Sequence, residues 1–175
     1  TRMAALRETL DKHFAITITG LDGRMREANA RFSELSGYSR EELLGNSYEL
    51  LNSSEFPTER LEQMWAAVLA GQTWRGEFCD RSKDVSLVWV ESIVAPLRDD
   101  KGIIDSCITI STDVTAIRRQ ALTLQAMIDN FPGGIVLVDK DHRVVGSNAC
   151  YRRLLDQPDN LFSNGETPYS DVVKL

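Results

Sequence analysis

The chain has 175 residues, 42% of them hydrophobic, and a formal net charge of −6. Acidic and basic residues are interleaved throughout, which argues against nucleic acid as a partner, because a phosphate-binding face needs clustered Lys and Arg. No apolar run approaches the roughly 20 residues that cross a bilayer, and no basic-then-apolar leader opens the chain. Cys79, Cys107 and Cys150 form no CxxC pair, and His13 and His142 are the only histidines. A disulfide framework, a metal centre and a histidine-based catalytic site therefore have little to build on, and a reduced, cytoplasmic setting is expected.

In chain order, residues 1–12 are charged and read as an N-terminal helix. Ile16-Thr-Ile18, Asp22-Gly-Arg24 and Asn29-Ala-Arg-Phe32 then spell a strand, a tight turn, a second strand and a helix start. Asp and Gly tolerate the left-handed backbone of the turn, and Asn accepts hydrogen bonds from the open amides of a first helical turn. The same segments recur at constant spacing as Ile135-Val-Leu137, Asp141-His-Arg143 and Asn148-Ala-Cys-Tyr151, so two copies of one unit are present. After the first copy, short helices are expected over Asn29–Ser36, Ser39–Leu44 and Ser47–Leu51, with Gly37 and Gly45 as stops. A longer helix is expected over Thr58–Ala70, entered at Pro57 and left at Gly71, with Leu61, Met64, Trp65, Val68 and Leu69 on one apolar stripe.

Three strands should follow, at Trp74–Arg81, Ser86–Leu97 and Ile104–Asp113, the last two joined at Asp99-Asp-Lys-Gly102. In the last strand Ile104, Ile108 and Ile110 alternate with Asp105, Cys107, Thr109 and Ser111, which predicts one buried and one wet face. Two early and three late strands with the helices between them make an α+β domain: a five-stranded antiparallel sheet with helices on one face.

That order, with Asn29-Ala-Arg-Phe32, Ser36-Gly-Tyr-Ser39, Glu42-Leu-Leu-Gly45, Trp74-Arg-Gly-Glu77, Trp89-Val90 and Asp113-Val-Thr115, closely resembles the PAS family of sensor domains. The resemblance runs from about Leu10 to Thr115, and again over the second copy. It implies a PAS domain at residues 13–115, a signalling helix at 116–131, and at 132–175 the first half of a second PAS domain whose later strands lie outside the chain. Within the family, Phe56-Pro57, Met64-Trp65 and Trp74-Arg-Gly-Glu77 are most similar to the flavin-binding PAS domains of aerotaxis and nitrogen-fixation redox sensors. The implied cofactor is FAD between the long helix and the sheet, with Trp74, Asn29, Trp65, Ile18, Phe32 and Leu61 as its contacts. Asp80 stands where those relatives carry Asn, and Asn52-Ser53 stands where the aerotaxis type carries His-Arg. The long helix offers no His for a haem iron, and Ser47–Ser54 holds no Cys for a light-driven flavin adduct.

By residue type alone, Trp74 is equally a core residue of a strand, and Asn29 equally an N-cap whose counterpart Asn148 returns with the fold. Cys79 and Cys107 have no basic neighbours to hold a thiolate and read as small hydrophobes. Beyond Asp113, whose carboxylate is expected to cap the next helix through Asp-x-Thr, the positions Val114, Ile117, Ala121, Leu124, Ile128 and Phe131 alternate at spacings of three and four residues. That is the seam of a short coiled coil, or of a helix packed on its own domain. The chain is thus expected to be non-catalytic: a redox- or oxygen-sensing input module that dimerises through its N-terminal and linker helices. Asp113 and Thr115 would pass the signal to an output domain, in the first place a histidine kinase. The other reading is a PAS domain with another ligand or none, acting as a dimerising adaptor. No nucleic-acid, membrane, metal or haem partner is expected.

Overall fold

A computed structural model describes residues 2–53, 57–155 and 168–172, and the chain divides into two compact units, Thr1–Arg118 and Arg119–Leu175. Phe56 lies outside the described residues. Among them no helix is long and apolar enough to cross a membrane.

In the first unit, helix α1 (Arg2–His13) precedes strands β1 (Ala15–Gly20) and β2 (Met25–Ala28). Helices α2 (Ala30–Ser36) and α3 (Arg40–Leu43), a 3-10 turn (Tyr48–Leu51) and helix α4 (Thr58–Leu69) follow, then strands β3 (Trp74–Arg81), β4 (Leu87–Arg98) and β5 (Ile104–Asp113). The sheet is antiparallel throughout, in the order β2-β1-β5-β4-β3. Local chemistry sets the boundaries. Asn29 caps α2, Ser39 and Glu42 form a reciprocal capping box on α3, and Ser47 caps the 3-10 turn. Gly37 ends α2 at φ 74°, in the left-handed region where a side chain is strained.

The alternation in β5 resolves in an unexpected sense. Cys107, Thr109 and Ser111 point to the helix side and are buried, whereas Ile108 and Ile110 lie half-buried on the opposite face. Strand pairing extends this pattern across the sheet. Thr17 pairs with Thr109 and Thr19 with Cys107 on the inner face, while Ile16 pairs with Ile110 and Ile18 with Ile108 on the outer one. On β4, Val90, Ser92 and Val94 are buried inward, and Ser92 shares a 2.7 Å hydrogen bond with Ser111. The helix-facing centre of the sheet is thus small and partly polar, and the isoleucines form an apolar outer face. The stripe on α4 is also narrower than its spacing predicts. Met64 and Val68 are buried and Leu61 and Trp65 half-buried, but Leu69 is 60% exposed.

Two apolar clusters hold this unit together. One gathers Ala15, Met25, Ala28, Phe32, Leu43 and Leu51, and the other Met64, Val68, Phe78, Val90, Val94 and Cys107.

Helix α5 (Thr115–Asp129) leads into the second unit, where β6 (Val136–Val138) and β7 (Val144–Ser147) pair antiparallel and α6 (Ala149–Leu154) follows; α7 spans Tyr169–Val172. Asn148 repeats the role of Asn29 with one acceptor changed, a backbone carbonyl in place of a carboxylate. Asn29 Oδ1 accepts the N–H groups of Ile16 and Phe32, and its Nδ2 donates to Phe14 O and the Asp11 carboxylate. Asn148 Oδ1 accepts those of Ile135 and Tyr151, and its Nδ2 donates to Gly133 O and Ile128 O. In each unit one amide ties the preceding helix to the first strand and to the helix it caps. α5 ends at Asp129, so Phe131, the last position of the expected seam, falls outside it.

Candidate ligand-binding site

Cores normally pack to crystal density, so a space inside one needs a local cause. Here the cause is the inner face of β1 and β5, where Thr19, Cys107 and Thr109 stand opposite α4 and are too short to reach it. A cavity of about 410 Å3 remains between the sheet and α4. Its walls are apolar along one length, with Leu61, Met64 and Trp65 from α4 and Phe78 and Val94 from the sheet. Its polar end comes from Tyr48, Asn52 and Asp80.

The segment carrying Tyr48 is fastened along β3. Asn52 forms an isolated antiparallel bridge with Asp80, and the buried Ser53 hydroxyl donates to the carbonyl of Cys79. This holds the Tyr48 hydroxyl where it donates to Asp80 Oδ2 at 3.0 Å. Asp80 lines the cavity, and its Oδ1 has no hydrogen-bond partner among the described residues and keeps some accessible surface. Burial raises the pKa of Asp80 from 3.8 to about 7, with the Tyr48 hydrogen bond acting in the opposite direction. Burial, and then the charge of Asp80, push the Tyr48 hydroxyl well above its ordinary value. Cys107 is raised by burial to about 11 and stays a thiol.

Of the six residues expected to contact a cofactor, the structure brings two to the cavity, Trp65 and Leu61. Trp74 lies on the same strand face as Phe78 and Asp80 but is not in the wall. Its indole folds over Gly76, where a Cβ would collide with it, and packs on Phe78 at 5.0 Å between ring centroids. Phe32 is in the first core cluster, outside the cavity lining, with its ring 6.2 Å from that of Tyr48 between centroids. Ile18 faces outward, one residue out of phase with the cavity-lining Thr19. Asn29 is outside the wall, and four hydrogen bonds to its own unit use its full amide capacity. The cavity lining also holds Tyr48, Met64, Phe78 and Asp80, which the sequence reading did not count among the cofactor contacts although Met64 and Asp80 entered its resemblance. Phe78 and Asp80 were accessible from the period of two that links Trp74, Gly76, Phe78 and Asp80 on one face of β3.

The other expected functional pair sits where the sheet hands over to α5. Asp113 accepts the N–H of Thr115 at 2.9 Å, and the Thr115 hydroxyl accepts the N–H of Trp89 at 2.9 Å. Val114 N–H donates to Trp89 O. On the outer face the Arg118 guanidinium lies 3.8 Å over the Trp89 ring and pairs with Glu77. One strand residue, Trp89, therefore meets the first turn of α5 through its backbone and its ring.

An antiparallel sheet with helices gathered over one face and a cavity beneath the longest of them is the architecture of a PAS-type sensory domain. The sequence family described as the PAS fold matches residues 13–119, and the chain belongs to it. A nitrogen fixation regulatory protein of Klebsiella pneumoniae is 29% identical over 145 residues, covering 79% of this chain and 29% of that protein. The aerotaxis receptor of Escherichia coli is 27% identical over 100 residues, covering 57% of this chain and 20% of the receptor. The chain thus spans less than a third of the length of either relative. Among solved structures, an RNA-binding light-oxygen-voltage receptor superposes with a TM-score of 0.60 at 21% identity, over 71% of this chain and 36% of that one. A light-oxygen-voltage domain studied with a flavin analogue gives 0.58 at 19% identity, over 70% and 93%. At these identities the likeness is one of fold.

Proposed function

We propose that this chain is the sensory input portion of a bacterial signalling protein, which binds FAD in the cavity and senses redox state or oxygen. Its signal passes through Asp113, Thr115 and α5 to an output domain elsewhere in the parent protein, a histidine kinase in the first place. The observation that carries the reading is the cavity. At about 410 Å3 it lies within the roughly 300–1,000 Å3 of ligand pockets, and apolar walls with a few convergent polar groups are the usual make-up of such sites. That donor set suits a fused heteroaromatic ring with a polar edge. Trp65, Leu61, Met64 and Phe78 would hold the ring, and Tyr48, Asn52 and Asp80 its polar edge. A bound flavin would supply reversible electron uptake. The chain's own part is to keep water from the ring and to turn a change in the pocket into a change at Trp89 and the start of α5.

Further support comes from the relatives, which are signalling proteins and include a hybrid signal transduction histidine kinase of Dictyostelium discoideum, 32% identical over 77 residues. Pairing of two copies along α5 belongs to the same reading, because Ile117 and Leu124 on its seam are 69% and 59% exposed. The second unit, with its repeated Asn, reads as the opening of a second PAS domain.

A visible absorption spectrum of the purified chain tests the cofactor. Flavin bands, present as isolated or after adding FAD, are the expected result. A colourless protein that leaves added FAD free supports the adaptor reading instead. Trp65→Ala should weaken FAD retention about tenfold, the equivalent of about 1.4 kcal/mol of lost ring contact. Trp74→Ala should weaken it less, since Trp74 stands behind Phe78.

A further inference from the structure

Asp80 is a carboxyl held by one of its two oxygens. Tyr48 donates to Oδ2, while Oδ1 accepts no hydrogen bond among the described residues and keeps accessible surface on a residue that lines the space between α4 and the sheet. Around it are the apolar side chains of Met64, Trp65, Phe78 and Val94, and among the described residues the cavity lining holds no cation. The other titratable groups that line the cavity are Asp22 from the β1–β2 turn, Glu49 from the 3-10 turn and Cys107 from β5. The guanidinium of Arg81, the next residue on β3, is exposed. None of these contributes to the raised pKa of Asp80, which burial drives with Tyr48 opposing it.

A carboxylate in this position would face an apolar chamber with one hydrogen bond to steady it. A carboxylic acid there offers a donor at Oδ1 and an acceptor at Oδ2, side by side. That pair matches an imide or lactam edge, O=C–N–H, with the ligand carbonyl accepting from Oδ1–H and the ligand N–H donating to Oδ2, whose second lone pair is free. An anionic Asp80 keeps the acceptor and loses the donor, so it sets a lone pair against the ligand carbonyl.

We propose that neutral Asp80, positioned by Tyr48, reads an imide or lactam edge of the bound ligand, so that ligand capture takes up a proton and this protein couples its occupancy to pH. This rests on the reading that the cavity holds FAD, whose ring carries such an edge. An Asn at this position would offer the same donor and acceptor without titrating, so the proton linkage is particular to Asp.

The sign follows from the charge. Binding requires the protonated form, so affinity is constant well below pH 7 and falls above it, approaching tenfold per pH unit. FAD binding to the whole chain, followed by equilibrium dialysis from pH 6 to pH 8.5, should weaken about thirtyfold across that range for a midpoint near 7. Asp80→Asn should bind FAD at pH 6 and lose no affinity by pH 8.5. Tyr48→Phe removes the hydrogen bond that favours the carboxylate, so its break in affinity should move to higher pH. Binding by the unmodified chain that is flat with pH, or a slope that persists in Asp80→Asn, overturns the proton linkage and leaves the flavin reading standing. Absence of FAD binding at every pH in all three proteins overturns both.

Discussion

Asp80 and Asn29 show two opposite uses of a polar side chain inside one small domain. Asp80 keeps an oxygen free in a cavity and carries a raised pKa, which also affects stability. The folded pKa, about 7, lies above the unfolded 3.8, so the native state holds the proton longer. Stability should therefore fall as pH rises from about 4 to about 7 and level off above, and Asp80→Asn should remove that fall. Thermal melts at pH 5 and pH 8 check this, the variant gaining on the parent at pH 8. Asn29 has no free capacity. Truncating it to Ala leaves the amides of Ile16 and Phe32 without their acceptor, and should cost about 2 kcal/mol, a fall in Tm on the order of 10 °C.

At the scale of elements, the junction between β4, β5 and α5 stands out. The Asp113–Thr115 bond caps the helix, the Thr115 hydroxyl engages Trp89, and Arg118 bridges Trp89 and Glu77 across the outer face. A cation over a half-buried ring is worth about 0.5–2 kcal/mol and a surface ion pair at most about 1 kcal/mol, so the first turn of α5 is held by contacts small enough to be shifted. Arg118→Ala should raise hydrogen exchange at the Val114 and Thr115 amides about fivefold while leaving the amides of β1 and β5 unchanged. Equal acceleration everywhere would mean that Arg118 supports the whole domain.

For the molecule as a whole, the exposed seam of α5 gives the dimer reading its test. Leu124 is 59% exposed and lies on the seam expected to pair. Leu124→Glu should shift the chain from dimer to monomer in light scattering, because a charge at a seam position would be desolvated against its own copy. A fully monomeric parent chain would contradict the pairing.

Element order, caps and turns were legible in the sequence because they depend on near neighbours. The three late strands were placed to within a residue, and the repeat of Asn29 at Asn148 announced a bond pattern that the two units share. The five-stranded antiparallel sheet followed from that order. The membership of the cavity wall was not legible. Ile18 and Phe32 are apolar in the right region, yet strand phase turns Ile18 outward and α2 directs Phe32 into the first core cluster. The inner face of β5 was misleading for the same reason: its isoleucines advertise burial, while the sheet buries the small Cys107, Thr109 and Ser111 and so leaves room for a ligand. Sequence by itself determined the elements and their family. Only tertiary packing decided which face of each strand looks at α4, because a side chain's surroundings depend on what crosses over it, and the residues that cross here are distant along the chain.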